Sequence, residues 1–136
     1  MGGGCPETVQ LGGTMAKKLL IVDDSASLRQ VVSMTLKSAG YDVIEACDGK
    51  DALTKLNGQK LNLIISDVNM PNMDGISFLK EVKKHPTYKF TPIVMLTTET
   101  EPAKREQAKA AGARAWVVKP FQPQQMLDAV SKLCLP

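Results

Sequence analysis

Aromatic residues are scarce in this chain of 136 residues, since Phe, Trp and Tyr together make up 4% of it. Hydrophobic residues of all kinds make up 43%, which is typical of a globular protein and argues against disorder. The core must therefore be built mainly from aliphatic side chains. The length is that of one ordinary domain and leaves no room for a second.

Long apolar runs and long runs of one charge are also missing. The apolar runs extend over a few residues, far short of the ~20 that a membrane-spanning helix needs. The formal net charge is +3, and no run of Lys and Arg is longer than two residues. This pattern indicates a solvated surface and not a nucleic-acid patch. We therefore expect neither a membrane nor a nucleic acid as partner.

Cysteines are few and widely separated, at Cys5, Cys47 and Cys134. An odd number without a C-x-x-C spacing excludes a disulfide framework and a zinc site of the usual kind. We expect a reducing, cytoplasmic location. Cys47 and Cys134 are interpreted as small apolar groups that are buried or half-buried.

The first residues of the chain differ from the remainder. Residues 1–14 are rich in glycine and lack the basic and apolar regions of a signal peptide. We interpret them as a disordered leader or a cloning scar, and Met15 as the natural start. Residues 15–136 are expected to form a single domain.

From Lys17 onward, short apolar runs alternate with segments of helical periodicity. Apolar runs without alternation are typical of strands buried on both faces. We predict strands at 19–22, 42–46, 61–65, 92–96 and 115–118, and helices at 28–39, 48–56, 76–84, 102–111 and 123–133. Such an order indicates an α/β fold with a parallel sheet covered on both faces, where function lies beyond the carboxyl ends of the strands.

Polar residues whose side chains can bind a ligand or take part in a reaction follow four of these strands. They are Asp23, Asp24, Asp67, Thr97 and Lys119. Each alone is an ordinary cap or turn residue, but a parallel sheet brings them to one edge. Two carboxylates about 5 Å apart repel by roughly 3 kcal/mol at an effective dielectric near 20, so three of them favour a bridging cation. Few protein oxygens are available, which favours Mg²⁺ over Ca²⁺. A carboxylate nucleophile beside a metal and an ammonium suits phosphoryl transfer.

These residues, the segment VVKPF at 117–121 and the loop NMPNMDG at 69–75 resemble the receiver domain of two-component response regulators. The resemblance extends from Lys17 to about Leu133 and is greatest to the stand-alone chemotaxis regulators of the CheY type. It implies a flavodoxin-like (βα)5 doubly wound fold with a five-stranded parallel sheet in the order 2-1-3-4-5.

The resemblance also implies roles for individual residues. Asp67 would accept a phosphoryl group from a CheA-like histidine kinase. Asp24 and Asp67 would bind Mg²⁺ directly, together with the backbone carbonyl of Asn69, and Asp23 would act through metal-bound water. Lys119 would contact the phosphoryl oxygens.

The family further implies a conformational switch. Thr97 would shift toward the phosphoryl group and relay the change to the face formed by the fourth helix, the fifth strand and the fifth helix. That face would bind an output partner, such as the flagellar motor switch. The Lys119–Pro120 peptide is expected to be cis. A monomeric signalling switch that catalyses its own phosphorylation and dephosphorylation is thus expected, not an enzyme with a separate substrate.

Several positions depart from the residues typical of the family or would set the lifetime of the phosphorylated state. Trp116 stands where the family has a switching tyrosine, and without a hydroxyl its swing is expected to be altered. Thr98 is larger than the usual residue and is expected to narrow access to the phosphoryl group. Asn69 and Glu99 border the path of attacking water and would tune the phosphoryl lifetime. The segment 99–102 is acidic where the family is basic, which leaves an output other than the flagellar motor open.

Other functions remain as alternatives. A single receiver can act as a phosphate sink or as an intermediate of a phosphorelay. A Mg²⁺-dependent aspartyl phosphatase needs Asp-x-Asp-Gly-Thr after the first strand, whereas this chain has Asp-Asp-Ser-Ala-Ser. A flavin-binding electron carrier needs a hydroxyl- and glycine-rich phosphate loop there. The receiver of a DNA-binding regulator would be followed by a helix-turn-helix, which this sequence does not contain.

Overall fold

The computed structural model describes residues 17–98 and 102–133, which alternate strictly between strands and helices. The strands are β1 (Lys18–Val22), β2 (Asp42–Ala46), β3 (Leu63–Asp67), β4 (Ile93–Thr98) and β5 (Ala115–Lys119). The helices are α1 (Ala26–Ser38), α2 (Gly49–Lys55), α3 (Gly75–Lys84), α4 (Pro102–Ala110) and α5 (Pro123–Leu133).

The five strands form one parallel sheet in the order β2-β1-β3-β4-β5. The predicted fold class and strand order are therefore confirmed. All strands point the same way, so their carboxyl ends share one edge, where every βα connection begins.

Helices cover both faces of the sheet and enclose two separate aliphatic cores. One core joins alternate residues of the central strands, such as Leu20, Val22 and Ile64, to α2, α3 and α4. The opposite core joins the remaining residues, such as Leu19 and Ile21, to α1 and α5. Burial on both faces explains why the central strands are continuous apolar runs rather than alternating ones.

Side-chain caps start three helices close to the functional edge of the sheet. Ser25, Asp48 and Asp74 precede α1, α2 and α3, and each side chain accepts a hydrogen bond from a backbone N–H in the first turn. Such caps satisfy backbone donors that the helix itself leaves without a partner. They also fix the point at which each loop ends.

Three strand ends differ from the prediction. β3 begins and ends two residues later than 61–65, and β4 and β5 extend to Thr98 and Lys119. Asp67 pairs with Leu96 in the ladder, and Thr98 pairs with Lys119. Asp67, Thr97 and Lys119 are therefore held within the sheet instead of following it, because strand pairing continues beyond the last apolar side chain.

Cys47 was predicted to be buried or half-buried, and this was wrong. It follows β2, an edge strand, and its side chain is exposed. The other two cysteines and the proposed leader lie outside the described residues. Among the described residues, no helix is long and apolar enough to cross a membrane.

Candidate functional site

Three carboxylates meet at the carboxyl edge of the sheet. Asp23 and Asp24 directly follow β1, and Asp67 is the last residue of β3, the neighbouring strand. One carboxylate oxygen of each lies within 4.8 Å of the others. Asp23 and Asp67 are buried and Asp24 is exposed. The group has the oxygen chemistry and the spacing of a site for a hard divalent cation.

Lys119, the last residue of β5, reaches across to this cluster. Its Nζ lies 3.0 Å from Asp67 Oδ2 and 3.5 Å from Asp23 Oδ2. The ammonium thus offsets part of the negative charge of the two buried carboxylates, whereas Asp24 is exposed to solvent. The Lys119–Pro120 peptide is cis, as predicted.

The surroundings of Asp67 raise the pKa of its carboxyl group above the ordinary value. Burial is the largest cause, and the negative charge of Asp23 acts in the same direction. A hydrogen bond and the charge of Lys119, together with the backbone N–H of Asn69, lower the pKa but do not cancel the rise. The carboxylate is therefore at higher energy than one in water, and a cation would relieve it.

The loop after β1 is held in place by hydrogen bonds between side chains and its backbone. The N–H of Ser25 donates to Asp23 Oδ1 (2.8 Å), and Arg29 Nη1 donates to the carbonyl oxygen of Asp23 (2.6 Å). Arg29 Nε also lies 3.3 Å from Glu45 Oε1. The sequence analysis did not single out Arg29. The sequence feature that could have identified it is its position one turn into α1, five residues after Asp24.

Thr97 on β4 brings a buried hydroxyl group to the site. Its side chain is buried, and Oγ1 has no hydrogen-bond partner among the residues that the structure describes. Burying a hydroxyl without a partner costs free energy, so such groups often mark a place where a ligand or a water binds. Together with the three carboxylates, this fits a site built to receive a cation and an oxygen-rich anion.

The loop between β3 and α3 is fastened to the start of α2. Asn72 adopts a left-handed conformation (φ 68°), and its Nδ2 donates to Asp48 Oδ2 at 2.7 Å. Met73 packs against Gly49 so closely that a Cβ at Gly49 would lie 2.7 Å from Met73 Cγ. The irregular run NMPNMDG therefore has a defined shape, which fixes the backbone that follows Asp67.

Gly75 ends this loop at the first position of α3. Its N–H donates to the carbonyl oxygen of Val68 (2.8 Å), and a Cβ built there would overlap the carbonyl oxygen of Asp67. Only a residue without a side chain lets the helix start so close to the strand. The position of α3 is thus tied directly to the backbone of Asp67.

The remaining predicted positions lie on the side of the site that faces α4. Asn69 is exposed, and its Oδ1 accepts a hydrogen bond from Lys104 Nζ at 2.6 Å. Trp116 is half-buried on β5, and the guanidinium of Arg105 lies 4.2 Å from its ring centroid. Thr98 is the last residue of β4. Glu99, which was predicted to tune the phosphoryl lifetime, lies outside the described residues.

Residues 19–131 match the family model of the response regulator receiver domain. This chain belongs to that family. The match spans nearly all of the described residues and includes every strand end discussed above. It therefore identifies the protein as a receiver domain of two-component signalling, in agreement with the resemblance seen in the sequence.

Individual relatives place the chain among CheY-like receivers. Chemotaxis protein CheY1 of Helicobacter pylori is 42% identical over 113 residues, which cover 82% of this chain and 91% of the relative. The structure of chemotaxis response regulator CheY4 of Vibrio cholerae is 51% identical, with a TM-score of 0.82, and the match covers 88% of this chain and 99% of that one.

A more distant structure carries a metal. The receiver domain of a sensor histidine kinase from Pseudomonas aeruginosa PAO1 is 26% identical, with a TM-score of 0.81, and the match covers 88% of this chain and 98% of that one. That structure has a magnesium ion coordinated in its active-site cleft.

Proposed function

We propose that this protein is a phosphorylation-activated response regulator whose phosphoacceptor is Asp67. The observation that carries the proposal is the environment of this carboxylate. It is buried beside two other carboxylates, 3.0 Å from an ammonium, and close in the sheet to a buried hydroxyl that has no described partner. A nucleophile, a cation to balance phosphoryl oxygens and a waiting hydrogen-bond donor are the parts that phosphoryl transfer needs.

The chemistry would proceed in two displacements at phosphorus. An oxygen of Asp67 attacks the phosphorus of a phosphohistidine, and the P–N bond breaks with its electron pair returning to the imidazole of the kinase. In the second step, a water attacks the same phosphorus, the P–O bond to Asp67 breaks, and inorganic phosphate leaves. Lys119 balances charge on the phosphoryl oxygens in both steps.

A divalent ion, Mg²⁺ by preference, is the expected cofactor. Asp24, Asp67 and the backbone carbonyl of Asn69 would hold it, with Asp23 acting through bound water. When bound, the ion would neutralise the carboxylates and the incoming phosphoryl oxygens. The Mg²⁺ ion in the related Pseudomonas aeruginosa receiver supports this assignment.

Phosphorylation would be read out on the face made by α4, β5 and α5. Thr97 Oγ1 lies unpaired on β4, next to β5, and can donate to a phosphoryl oxygen once one is present. Trp116 and Arg105 line a groove of about 560 Å³ on that face, together with Asp128 and Lys132. We propose a CheA-like histidine kinase as donor, because the relatives are chemotaxis proteins. The output partner would dock on this face.

Phosphotransfer from purified histidine kinases tests the proposal. The wild type is expected to acquire an acid-stable, base-labile phosphoryl group in the presence of Mg²⁺, and Asp67→Asn is expected to acquire none. Failure of the wild type with every kinase and with a small-molecule phosphodonor would refute the assignment. Labelling of Asp67→Asn at the wild-type rate would show that another residue is the acceptor.

A further inference from the structure

Asp24 is the exposed member of the acidic cluster, and its side chain has no anchor of its own. Among residues 17–98 and 102–133, no hydrogen bond or ion pair reaches the Asp24 carboxylate. Asp67, by contrast, is the last residue of a strand and contacts Lys119. The direction in which Asp24 presents its oxygens therefore depends on the backbone that precedes it.

That backbone is the peptide between Asp23 and Asp24, where the chain leaves the sheet. The N–H of Asp23 donates to the carbonyl oxygen of Ala46 at the end of β2 (3.1 Å), whereas the carbonyl group of Asp23 lies beyond the last paired residues of β1. A peptide group is planar, so the direction of the Asp23 carbonyl also sets the direction of the Asp24 N–H and the start of its side chain. An interaction that fixes this one oxygen thus fixes how Asp24 enters the cluster.

Arg29 provides that interaction. Its Nη1 donates to the carbonyl oxygen of Asp23 at 2.6 Å, while Nε of the same guanidinium lies 3.3 Å from Glu45 Oε1. Glu45 is on β2, where it pairs with Ile21 of β1. The guanidinium is a rigid plane with donors in a fixed arrangement, so a carboxylate at one edge orients the donor at another. The peptide that precedes Asp24 is thereby tied to the edge strand of the sheet.

The charge of Arg29 and its position have opposite effects on cation binding. A guanidinium near an acidic cluster repels a divalent cation, so by charge alone its removal would strengthen binding. By position, its removal would release the peptide and let the Asp24 carboxylate move away from Asp23 and Asp67, which weakens binding because the site is no longer preorganised. The sign of the measured change therefore identifies which effect dominates.

We propose that Arg29 is a positioning residue that holds Asp24 in the geometry that a divalent cation requires. The inference rests on the metal site of the proposed function. Arg29 carries donors and no acceptor, so it cannot ligate the ion itself and acts through the carbonyl group of Asp23.

The test is calorimetric titration of the full chain with Mg²⁺. Arg29→Met removes the guanidinium but keeps an unbranched side chain, and should bind Mg²⁺ about two- to tenfold more weakly than the wild type, the range expected for loss of one hydrogen bond. Lys37→Met removes the same charge from an exposed position in the last turn of α1 and should bind as tightly as the wild type or slightly more tightly.

A second measurement needs no metal. In a chelator, the amide hydrogen of Ser25, which donates to Asp23 Oδ1 at 2.8 Å, should exchange with solvent faster in Arg29→Met than in the wild type, because the loop has lost an anchor. The amide hydrogen of Gly75, which donates to the carbonyl oxygen of Val68 at the end of the loop after β3, should exchange at the wild-type rate. Faster exchange at both positions would show a general loss of stability and would overturn the inference.

The outcomes distinguish this inference from the proposed function. If the wild type binds no divalent cation, the proposed metal site fails, and the role of Arg29 fails with it. If the wild type binds Mg²⁺ but Arg29→Met binds it equally or more tightly, only the role of Arg29 is overturned. Equal weakening by Lys37→Met would overturn it as well.

Discussion

Replacing Asp67 by Asn is expected to stabilise the protein in the absence of divalent cations, although it removes the proposed nucleophile. The carboxylate oxygens of Asp23, Asp24 and Asp67 lie within 4.8 Å of one another. At an effective dielectric of about 20, each pair at that distance repels by about 3.5 kcal/mol. Lys119 at 3.0 Å from Asp67 attracts it by about 5.5 kcal/mol on the same scale.

The two repulsions on Asp67 exceed this attraction by about 1.5 kcal/mol, and the cost of burying the charge adds to the excess. Asp67→Asn is nearly isosteric and removes both costs. The free energy of unfolding should rise by about 1–3 kcal/mol, or roughly 4–12 °C in Tm for a domain of this size.

The assay is urea or thermal unfolding in a chelator and again in excess Mg²⁺. In the chelator, Asp67→Asn should be the more stable protein. Added Mg²⁺ should stabilise the wild type and reduce the difference, since a ligand of the folded state raises its stability by mass action. Asp42→Asn, an exposed acid on the edge strand, should change stability by less than about 0.5 kcal/mol in both buffers.

The pH dependence follows from the raised pKa of Asp67. An unfolded Asp titrates near 3.9, so the folded protein holds its proton to higher pH than the unfolded chain. The wild type therefore loses stability as pH rises through that window, and the penalty is complete above the folded pKa. The difference in the free energy of unfolding between Asp67→Asn and the wild type should become smaller as pH falls from 7 toward 4. An Asp67→Asn protein that is less stable than the wild type in chelator at pH 7 would refute this account.

Two further predictions concern the backbone and the output face. Gly75→Ala should lower the free energy of unfolding by about 3 kcal/mol or more, because its Cβ would overlap the carbonyl oxygen of Asp67. Gly40→Ala, at a positive φ in open space, should lower it by about 1 kcal/mol, and urea unfolding measures both values. Equal costs for the two would contradict the close-approach argument. Trp116 fluorescence should change when Mg²⁺ and a phosphodonor are added to the wild type, because Arg105 packs on its ring, and should not respond to the phosphodonor in Asp67→Asn. An unchanged wild-type spectrum would count against a rearrangement at β5.

The alternation of strands and helices could be predicted from the sequence because its signals are local, whereas the strand order was an expectation from the family resemblance. Continuous apolar runs of four residues identify strands buried on both faces. Ser25, Asp48 and Asp74 are typical N-cap residues and indicate the starts of the helices that follow. The convergence of the polar strand ends then follows from parallel topology alone. Asp23, Asp24, Asp67 and Lys119 were expected at one edge, and the structure brings them together.

Contacts between loops could not be predicted in the same way. The pairing of Asn72 with Asp48 spans 24 residues, and that of Lys104 with Asn69 spans 35. Each depends on the path of an irregular loop, which no periodicity encodes. The end of β3 was misplaced for a related reason, since the ladder continues through Asp67, a polar residue that pattern reading assigns to a turn.

Helix α4 has a weak attachment to the domain, and this affects how the protein opens in solution. All nine of its residues are described, and Ala108 alone among them is buried. By contrast, α3 buries five of its ten residues, including Phe78 and Leu79. Because little apolar surface is lost when α4 detaches, its amide hydrogens should exchange with solvent through local opening, long before those of α3 and the central strands. The element that would carry the signal outward is also the one whose separation from the domain costs the least free energy.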